Sequence, residues 1–436
     1  MRLNQILGSL LGGLLCSSVA YATDPPPFPR LGAMLFGSPT NYDNAALQAQ
    51  IAKANIALFS YWPGWETTHT MTFQQALTAI KTLNPSIQLA VYSQIDSASN
   101  NQAYATVVQK LNAQKWWLYS SFRSGAPVAN FWTGGGGPFY QINTTLFPAP
   151  DGSGHRYMDW FAAWYVTNMV APNPALNSAF IDNVFVVPRA TGDWNLDGVA
   201  DAPTNPSVQH WVHLGYDAYF SSLRGLMPKA NLIGNIAGWG LSNANLTDYQ
   251  GQLNGGVIEG LIGYSWSPEN WGGWKEMISE YRKAMGALAP PNLAMFAMIG
   301  SATDYQTFRY GFASCLMDNG YFTFNSSSAY NDIPWFDEYN ALLGTAITAP
   351  PTSAWQNGVY RRDYSNGIAL VNPKGNGPQT VTLETNYKRI KGSQVPTTNN
   401  GQTMNTVTLQ DRDGIILLRL QPVSVPMAPK DLTLAR

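Results

Sequence analysis

Charged residues are scarce in this sequence of 436 residues. Lys, Arg, Asp and Glu together make up 12% of the chain, about half of their share in an average soluble domain. The formal net charge is −1, and no run of Lys and Arg is long enough to follow a phosphate backbone, which argues against nucleic acid as a partner. The surface must therefore be covered mainly by neutral polar side chains.

The sequence is also poor in cysteine and histidine, with two and four residues. Cys16 precedes the cleavage site predicted below, so the mature chain would keep only Cys315 and could form no internal disulfide. His210 and His213 have no cysteine or carboxylate near them with the spacing of a zinc site. A G-x-S-x-G nucleophile motif is missing too, so neither a zinc hydrolase nor an esterase of that type is indicated.

No apolar run is long enough to cross a bilayer comfortably, and we predict no membrane span. Residues 6–19 are apolar, follow Arg2, and precede Ala-Tyr-Ala at 20–22, an order typical of a secretory signal peptide. We predict cleavage after Ala22 and export to the periplasm or the medium. Lipidation of Cys16 is the less favoured alternative, because Leu15 is bulky where lipoprotein signals have a small residue.

Aromatic residues, by contrast, are abundant at 13% of the chain, with 15 Trp and 22 Tyr. Many tryptophans beside few charges suit a protein that handles neutral, hydroxylated ligands, because indole faces stack on the apolar C–H faces of sugar rings. A large core would use tryptophan as well, so composition leaves both interpretations open.

Eight short apolar runs alternate with segments of helical periodicity. Near-continuous apolar runs are typical of strands buried on both faces of a parallel sheet. The pattern predicts an α/β fold, a (β/α)8 TIM barrel over residues 23–345. A doubly wound sheet is the alternative, but no glycine-rich phosphate turn follows the first run. The predicted strands are 31–36, 55–60, 87–92, 179–184, 231–236, 256–262, 293–299 and 320–324; the predicted helices are 45–54, 72–83, 103–112, 158–170, 209–226, 274–286 and 304–318.

An insertion of about 85 residues separates the third and fourth strands, and connections of that length usually carry function. It is rich in Trp, Tyr, Phe and Gly. We therefore expect Trp116, Trp117 or Trp132 to approach the barrel mouth.

The pattern changes after residue 345. A Pro-rich linker precedes short alternating runs separated by Gly, Asn, Pro and Asp, which predict a small C-terminal antiparallel β-sandwich domain over residues 353–421. Residues 422–436 are predicted to form a loosely held tail.

Two carboxylates interrupt predicted apolar strands. Asp182 lies in the fourth strand and Glu259 in the sixth, where an unpaired buried carboxylate would be costly. Barrel enzymes carry catalytic groups at the carboxyl ends of their strands. A carboxylate pair facing across the mouth is what glycosidic bond cleavage requires, so we predict catalysis by Asp182 and Glu259. Separate structural roles for the two are the alternative, and Glu269 is the reserve acid.

Other strand ends offer amides, carboxylates and aromatic rings that could bind sugar hydroxyls and ring faces. The predicted substrate-binding residues are Tyr61, Trp62, Asp96, Asn183, Asn235, Trp239 and Trp266.

Residues 193–201 read Asp-Trp-Asn-Leu-Asp-Gly-Val-Ala-Asp. Oxygen-bearing side chains at positions 1, 3 and 5, Gly at 6 and Asp at 9 match the first part of an EF-hand calcium loop. Thr204 stands where position 12 would need Glu, so the motif is incomplete. We predict a shorter structural Ca²⁺ loop, the alternative being an acid-rich turn without an ion. No organic cofactor is indicated. The predicted ligands are Asp193, Asn195, Asp197, Val199 through its carbonyl, and Asp201.

The chain resembles the family described as hypothetical glycosyl hydrolase family 15, a TIM-barrel group related to the α-galactosidase superfamily. The resemblance lies in Phe-Ile-Asp-Asn-Val-Phe at 180–185, the segment 192–198, Gly-Gly-Val-Ile-Glu-Gly at 255–260, and the segments 316–322, 335–339, 360–367 and 370–373. It implies a nucleophile on the fourth strand, Asp182, and an acid/base on the sixth, Glu259. It also implies retention of the anomeric configuration, but no particular sugar.

The sequence thus predicts an exported glycoside hydrolase, expected to be a monomer, that cleaves an oligo- or polysaccharide. A carbohydrate-binding protein that kept the barrel but lost turnover is the alternative. The carboxylate separation discriminates between mechanisms, because about 5–5.5 Å fits retention and about 6.5–9.5 Å fits inversion.

Overall fold

The computed structural model describes residues 25–37, 41–99, 105–121, 124–134, 137–185, 187–236, 249 and 251–421. The predicted signal peptide and the predicted tail lie outside these residues. Among the described helices, none combines the length and hydropathy needed to cross a bilayer.

Eight parallel strands form the barrel predicted from the apolar runs. Their order in the sheet follows the chain, and a parallel bridge between Leu31 and Phe322 joins the first strand to the last. The (β/α)8 prediction is confirmed. With labels in chain order, the barrel strands are β1 (Gly32–Leu35), β2 (Ile56–Phe59), β3 (Gln88–Gln94), β9 (Ser178–Asp182), β10 (Asn231–Asn235), β11 (Gly255–Ile262), β12 (Leu293–Ile299) and β13 (Tyr321–Asn325).

Seven α-helices accompany these strands in the described residues, close to the predicted segments. The α2 helix begins with a capping box, in which Thr72 and Gln75 satisfy each other's backbone N–H groups. The α6 helix begins six residues earlier than predicted and is kinked at Gly273, where φ is +75°. The helices are α1 (Ala45–Ile51), α2 (Phe73–Leu83), α3 (Ala105–Gln114), α4 (Tyr157–Tyr165), α5 (Pro206–Leu226), α6 (Pro268–Gly286) and α7 (Tyr305–Leu316).

Alternate residues of the barrel strands point into the barrel, because side chains in a strand have a period of two. Inside, Met34, Leu58, Ala90, Phe180 and Met295 belong to one buried apolar cluster. Two residues after the inward-facing apolar side chain, three adjacent strands carry a polar one. The pairs are Phe180 and Asp182 on β9, Ile233 and Asn235 on β10, and Val257 and Glu259 on β11. Because side chains in a strand alternate with a period of two, these three polar side chains also point into the barrel, at its carboxyl-terminal mouth.

In its described residues, the predicted insertion between the third and fourth barrel strands carries five short strands on the mouth side, since Ile142 N–H donates to the Asp96 carbonyl just after β3. Trp116 and Trp117 are buried, and their indole N–H groups donate to the Ala149 carbonyl and the Asn112 side chain. They pack in the core, so their approach to the mouth stays a prediction, and the side chain of Trp132 is outside the described residues. The strands are β4 (Ser97–Ser99), β5 (Tyr119–Ser121), β6 (Ser124–Pro127), β7 (Ala129–Gly134) and β8 (Gly137–Gln141).

The C-terminal β domain is a five-stranded antiparallel sheet in the order β14-β15-β18-β16-β17. The strand β15 is buried along its whole length, since α7 packs on one face of the sheet and the domain's own core covers the other. The buried Arg309 of α7 pairs with Asp413 at 3.0 Å. The strands are β14 (Tyr360–Tyr364), β15 (Gly367–Asn372), β16 (Gln379–Arg389), β17 (Thr403–Leu409) and β18 (Asp413–Arg419).

Candidate active site

Asp182 and Glu259 meet at the barrel mouth through one amide group. The Asn235 side-chain nitrogen donates to Asp182 Oδ1 at 2.8 Å and to Glu259 Oε2 at 3.2 Å. Both carboxylates are half-buried, whereas Asn235 is buried. Because both oxygens contact the same nitrogen, they are at most about 6 Å apart, close enough for each charge to disfavour ionisation of the other.

A tyrosine hydroxyl also donates to each carboxylate. Tyr92 donates to Asp182 Oδ2 at 2.5 Å, and Tyr330 donates to Glu259 Oε1. The hydroxyls of Tyr330 and Tyr264 are 2.8 Å apart, so a chain of hydroxyls leads to Glu259. Neither Tyr92 nor Tyr330 was predicted from the sequence.

Burial is the main cause that raises the pKa of both carboxyl groups. At Asp182 the hydrogen bonds from Tyr92 and Asn235 oppose this rise, because they stabilise the ionised form. At Glu259 the hydrogen bond from Tyr330 opposes it, whereas the charge of Asp182 adds to it. Both groups therefore retain a proton more readily than an exposed carboxyl group does, and at Glu259 the charge of Asp182 adds to this effect.

Asp96, predicted to bind substrate, is buried and contacts Asn183, the residue that follows Asp182. Its side chain is 3% exposed and accepts from Asn183 Nδ2 at 2.9 Å. Burial raises the pKa of Asp96 to about 6, and the charge of Asp182 adds to the rise. Asn183 is buried too, with φ at +58°, and its carbonyl accepts from Tyr216 at 2.7 Å. Asp96 and Asn183 therefore fix the chain that leaves β9.

Arg189 is a further residue near the pair that was not predicted from the sequence. Its guanidinium lies 3.9 Å from the centre of the Phe185 ring. Burial lowers the pKa of Arg189 to about 10, while the charges of Asp96, Asp182 and Glu259 oppose that fall. Arg189 thus supplies positive potential to all three carboxylates.

Tyr330 reaches the site from the loop after β13. Its φ of +49° is uncommon for a residue with a side chain. Gly37 N–H donates to the Tyr330 carbonyl at 3.0 Å, and a Cβ on Gly37 would lie 2.3 Å from the Ala329 carbonyl oxygen. This contact needs glycine, and it ties the loop to the end of β1.

The predicted aromatic residues divide into two groups. Trp266 is half-buried and stacks on Tyr264, with ring centres 4.3 Å apart, so it lies beside the site. Tyr61 is buried, stacks on Phe73 at 4.4 Å and donates to Glu66, and Trp62 packs against the same core. Tyr61 and Trp62 therefore pack against the core, and their predicted contact with substrate stays a prediction; Trp239 falls outside the described residues.

Glu269 has no role at the mouth. Its side chain has no exposed surface, and Arg412 of the C-terminal domain donates to both of its oxygens, at 2.9 and 3.0 Å. This ion pair joins the start of α6 to the C-terminal domain, so Glu269 is not available as the reserve acid.

The predicted calcium residues lie in one loop beyond β9. Gly192 and Asp201 form an antiparallel bridge that closes this loop. The carboxylate of Asp197 accepts from Val199 N–H at 2.8 Å and from the Asn195 side chain at 2.9 Å. No three His, Cys, Asp or Glu side chains are grouped to hold a metal within the described ranges, so any ion here would depend partly on neutral oxygens.

The family model described as hypothetical glycosyl hydrolase family 15 matches residues 81–368, more than half of the chain. Among solved structures, a family GH13_31 enzyme is 10% identical with a TM-score of 0.49, covering 89% of this chain and 98% of that chain. Amy13B of Eubacterium rectale is 9% identical with a TM-score of 0.48, covering 89% and 94%. The glycoside hydrolase domain of PelA from Pseudomonas aeruginosa is 11% identical with a TM-score of 0.41, covering 70% and 97%. No curated protein matches the chain.

Proposed function

The chain belongs to hypothetical glycosyl hydrolase family 15, and from this membership we propose that it hydrolyses an oligo- or polysaccharide with retention of anomeric configuration. The observation that carries the proposal is the contact of Asp182 and Glu259 with one amide nitrogen, at 2.8 and 3.2 Å. The resulting upper limit of about 6 Å between those oxygens supports retention, because inverting pairs are about 6.5–9.5 Å apart to admit a water.

In the first step, Asp182 attacks the anomeric carbon. A bond forms between its carboxylate oxygen and that carbon while the glycosidic C–O bond breaks, and Glu259 gives its proton to the departing oxygen. Tyr92 and Asn235 favour the ionised nucleophile, and burial favours the protonated acid. The stacked Trp266 and Tyr264 offer an aromatic wall for a sugar ring beside the acid.

In the second step, water hydrolyses the glycosyl-enzyme. Glu259, now ionised, takes a proton from the water, and the water oxygen bonds to the anomeric carbon and releases the Asp182 carboxylate. Two displacements on one carbon restore its original configuration. Asn235 contacts both groups in the structure, so its amide can hydrogen-bond whichever of them carries the negative charge.

The experiment begins with a screen for released reducing sugar over a panel of polysaccharides. On an active substrate, Asp182→Asn and Glu259→Gln should lower kcat by at least about 10²-fold, with Glu276→Gln on the exposed part of α6 as the control for loss of a carboxylate. Near-wild-type turnover in either variant would refute the assignment. Sugar binding without turnover in the wild type would instead favour the carbohydrate-binding alternative.

Azide rescue separates the two roles. In Asp182→Ala, azide replaces the missing nucleophile in a single displacement and should give a glycosyl azide of inverted configuration. In Glu259→Ala, azide attacks the glycosyl-enzyme, so the product should keep the substrate configuration. NMR of the products decides, and the opposite pattern would exchange the roles of Asp182 and Glu259.

We also propose export, supported by the order of Arg2, the apolar residues 6–19 and Ala22 in the sequence. Protein recovered from the periplasm or the medium should begin at Thr23, as read by N-terminal sequencing. Leu14→Arg, which interrupts the apolar segment, should leave the precursor in the cell. A native protein that keeps Met1 in the cytoplasm would contradict export.

A further inference from the structure

Two carboxylate oxygens in the loop beyond β9 are buried without any hydrogen-bond partner. Asp193 has no exposed surface; its Oδ2 accepts from Gly198 N–H at 3.0 Å, but its Oδ1 has no donor. Asp201 Oδ2 is buried and lacks a partner as well. A buried carboxylate oxygen without a donor or a cation is costly, so these two atoms point to a binding site for a cation.

The backbone brings the two residues together, although eight positions separate them in sequence. Gly192 N–H donates to the Asp201 carbonyl at 3.2 Å, and Asp201 N–H donates to the Gly192 carbonyl at 2.8 Å. Between them the chain reverses at Gly198, where φ is +95°, a conformation that favours glycine. Asp193 and Asp201 therefore stand at the two ends of one closed turn.

Negative charge accumulates within this turn. The carboxylates of Asp193, Asp197 and Asp201 all lie within nine residues of the chain. Within the part of the chain that the structure describes, no Lys, Arg or His forms an ion pair with any of the three. No charged side chain in an ion pair therefore balances the negative charge of these three carboxylates.

We propose that this loop binds a calcium ion between Asp193 Oδ1 and Asp201 Oδ2. Asp197, the Asn195 carboxamide and the Val199 carbonyl lie on the same turn and are the candidates for the remaining positions. Only two carboxylates have free oxygens, because Asp197 accepts within the loop. Calcium tolerates such a mixed, irregular oxygen set, whereas magnesium demands a near-ideal octahedron.

An ion bound in the loop 192–201 would stabilise the contact between the insertion and the chain that follows β9, the strand that carries Asp182. Asp193 N–H donates to the Tyr119 carbonyl at 2.7 Å, and the Asn143 side chain donates to the Trp194 carbonyl at 3.1 Å. A Cβ on Gly192 would lie 2.6 Å from the Leu118 side chain. The loop is therefore packed on the insertion, and an ion that orders it stabilises both parts.

The test uses the full mature protein after removal of divalent ions with EDTA. Titration calorimetry should show uptake of a single calcium ion, and calcium should raise Tm, because a ligand that binds only the native state stabilises it. Magnesium at the same concentration should raise Tm less. Absence of heat on titration together with an unchanged Tm would overturn the proposal, whether or not the protein cleaves a sugar.

Two substitutions locate the ion. Asp193→Asn keeps an oxygen for Gly198 N–H but removes the charge, and Asp201→Asn does the same at the other end of the turn. Each should weaken calcium binding at least about tenfold, because affinity follows the number of charged ligands. Asp159→Asn in α4, far along the chain from the loop, is the matched control and should bind as the wild type does. Unchanged affinity in both loop variants would overturn the proposal.

Terbium offers a second readout that does not depend on stability. Terbium substitutes for calcium, and its emission is sensitised by a nearby indole, here Trp194 between two of the proposed ligands. We expect sensitised emission from the wild type, its loss on adding calcium, and little emission from Asp201→Asn. Emission of wild-type strength from both Asp193→Asn and Asp201→Asn would place the ion elsewhere and refute the site.

Discussion

Replacing Asn235 with alanine removes the donor that the two proposed catalytic carboxylates share. The change deletes the contacts of 2.8 Å to Asp182 and 3.2 Å to Glu259 and leaves the tyrosine donors in place. Asp182 then keeps Tyr92, and Glu259 keeps Tyr330. The variant therefore weakens the pair without removing either acid.

The magnitude follows from the geometry. In the reactive state Asp182 carries the negative charge and Glu259 is protonated, and a hydrogen bond to a charged group contributes about 1.5–3 kcal/mol. Loss of the Asn235 donor should therefore cost the reactive state about 1.5–3 kcal/mol. In rate terms, kcat/KM should fall about 10- to 100-fold.

The loss of the Asn235 hydrogen bonds should also shift the pH profile of kcat/KM in a definite direction. Asp182 must be ionised to attack, and its loss of ionisation sets the acidic limb of the rate profile. The amide hydrogen bond lowers the pKa of Asp182; without it that pKa rises further, and the acidic limb should move to higher pH. The basic limb, set by the protonated Glu259, should move in the same direction, because that hydrogen bond also lowers the pKa of Glu259.

The assay is kcat/KM against pH on a substrate that the wild type cleaves, with circular dichroism to confirm folding. Asn231→Ala is the matched control, because Asn231 lies on the same strand at the opposite end and donates to Gln88 at 3.1 Å. It should leave both limbs in place. A full-activity Asn235→Ala variant with an unshifted profile would refute the shared role of the amide.

Three other substitutions each test a single contact in the structure. Tyr330→Phe removes a donor that favours ionised Glu259, so the basic limb of kcat/KM should move to higher pH; an unmoved limb would give Tyr330 a packing role only. Arg412→Ala leaves the buried carboxylate of Glu269 unpaired and should lower the free energy of unfolding by about 3 kcal/mol in urea, and a loss below about 1 kcal/mol would contradict the importance of the pair. Gly215→Ala places a Cβ 1.7 Å from a carbonyl oxygen of the insertion and should cost about 3 kcal/mol in thermal unfolding; an unchanged Tm would mean that α5 can shift.

The barrel could be predicted from sequence because its strands are buried on both faces. Such strands are continuous apolar runs, and their ends are marked by polar residues and turns. The run 293–299 is β12 as the structure has it, and 231–236 differs from β10 by one residue. The start of α6 was less predictable, because two glycines at 272–273 indicate a break where the helix bends and continues past Gly273.

The central site residues could be predicted for the same reason. Asp182 and Glu259 are carboxylates inside apolar runs, and Asn235 ends another, so a local pattern reveals them. Tyr92 could have been predicted from the alternation of side chains along a strand, since it lies two residues after the inward-facing Ala90. The sequence signal was present there, but a tyrosine in a strand is usually a packing residue.

Tyr330 and Asp96 could not be placed from local patterns. Tyr330 depends on a loop held by Gly37, almost three hundred residues away in sequence, and a distant contact leaves no periodicity. Asp96 follows a strand, as a ligand-binding residue would. In the structure its side chain is buried, and the Asn183 side-chain nitrogen donates to its oxygen. Exposure at the mouth is a tertiary property, so a local pattern does not show which of these polar side chains a substrate can reach.

The low content of charged residues in the sequence is matched at the proposed site, where neutral side chains donate to the two carboxylates. The hydrogen bonds described for Asp182 and Glu259 come from neutral donors, tyrosine hydroxyls and the Asn235 amide. A Lys or Arg in direct contact would hold a carboxylate ionised over the whole working pH range, whereas an acid/base must lose and regain a proton in every cycle. Neutral donors reduce the cost of burial while leaving the proton exchangeable. Arg189, whose charge opposes the rise in the pKa of Asp182 and Glu259, limits that rise without fixing either group in one state.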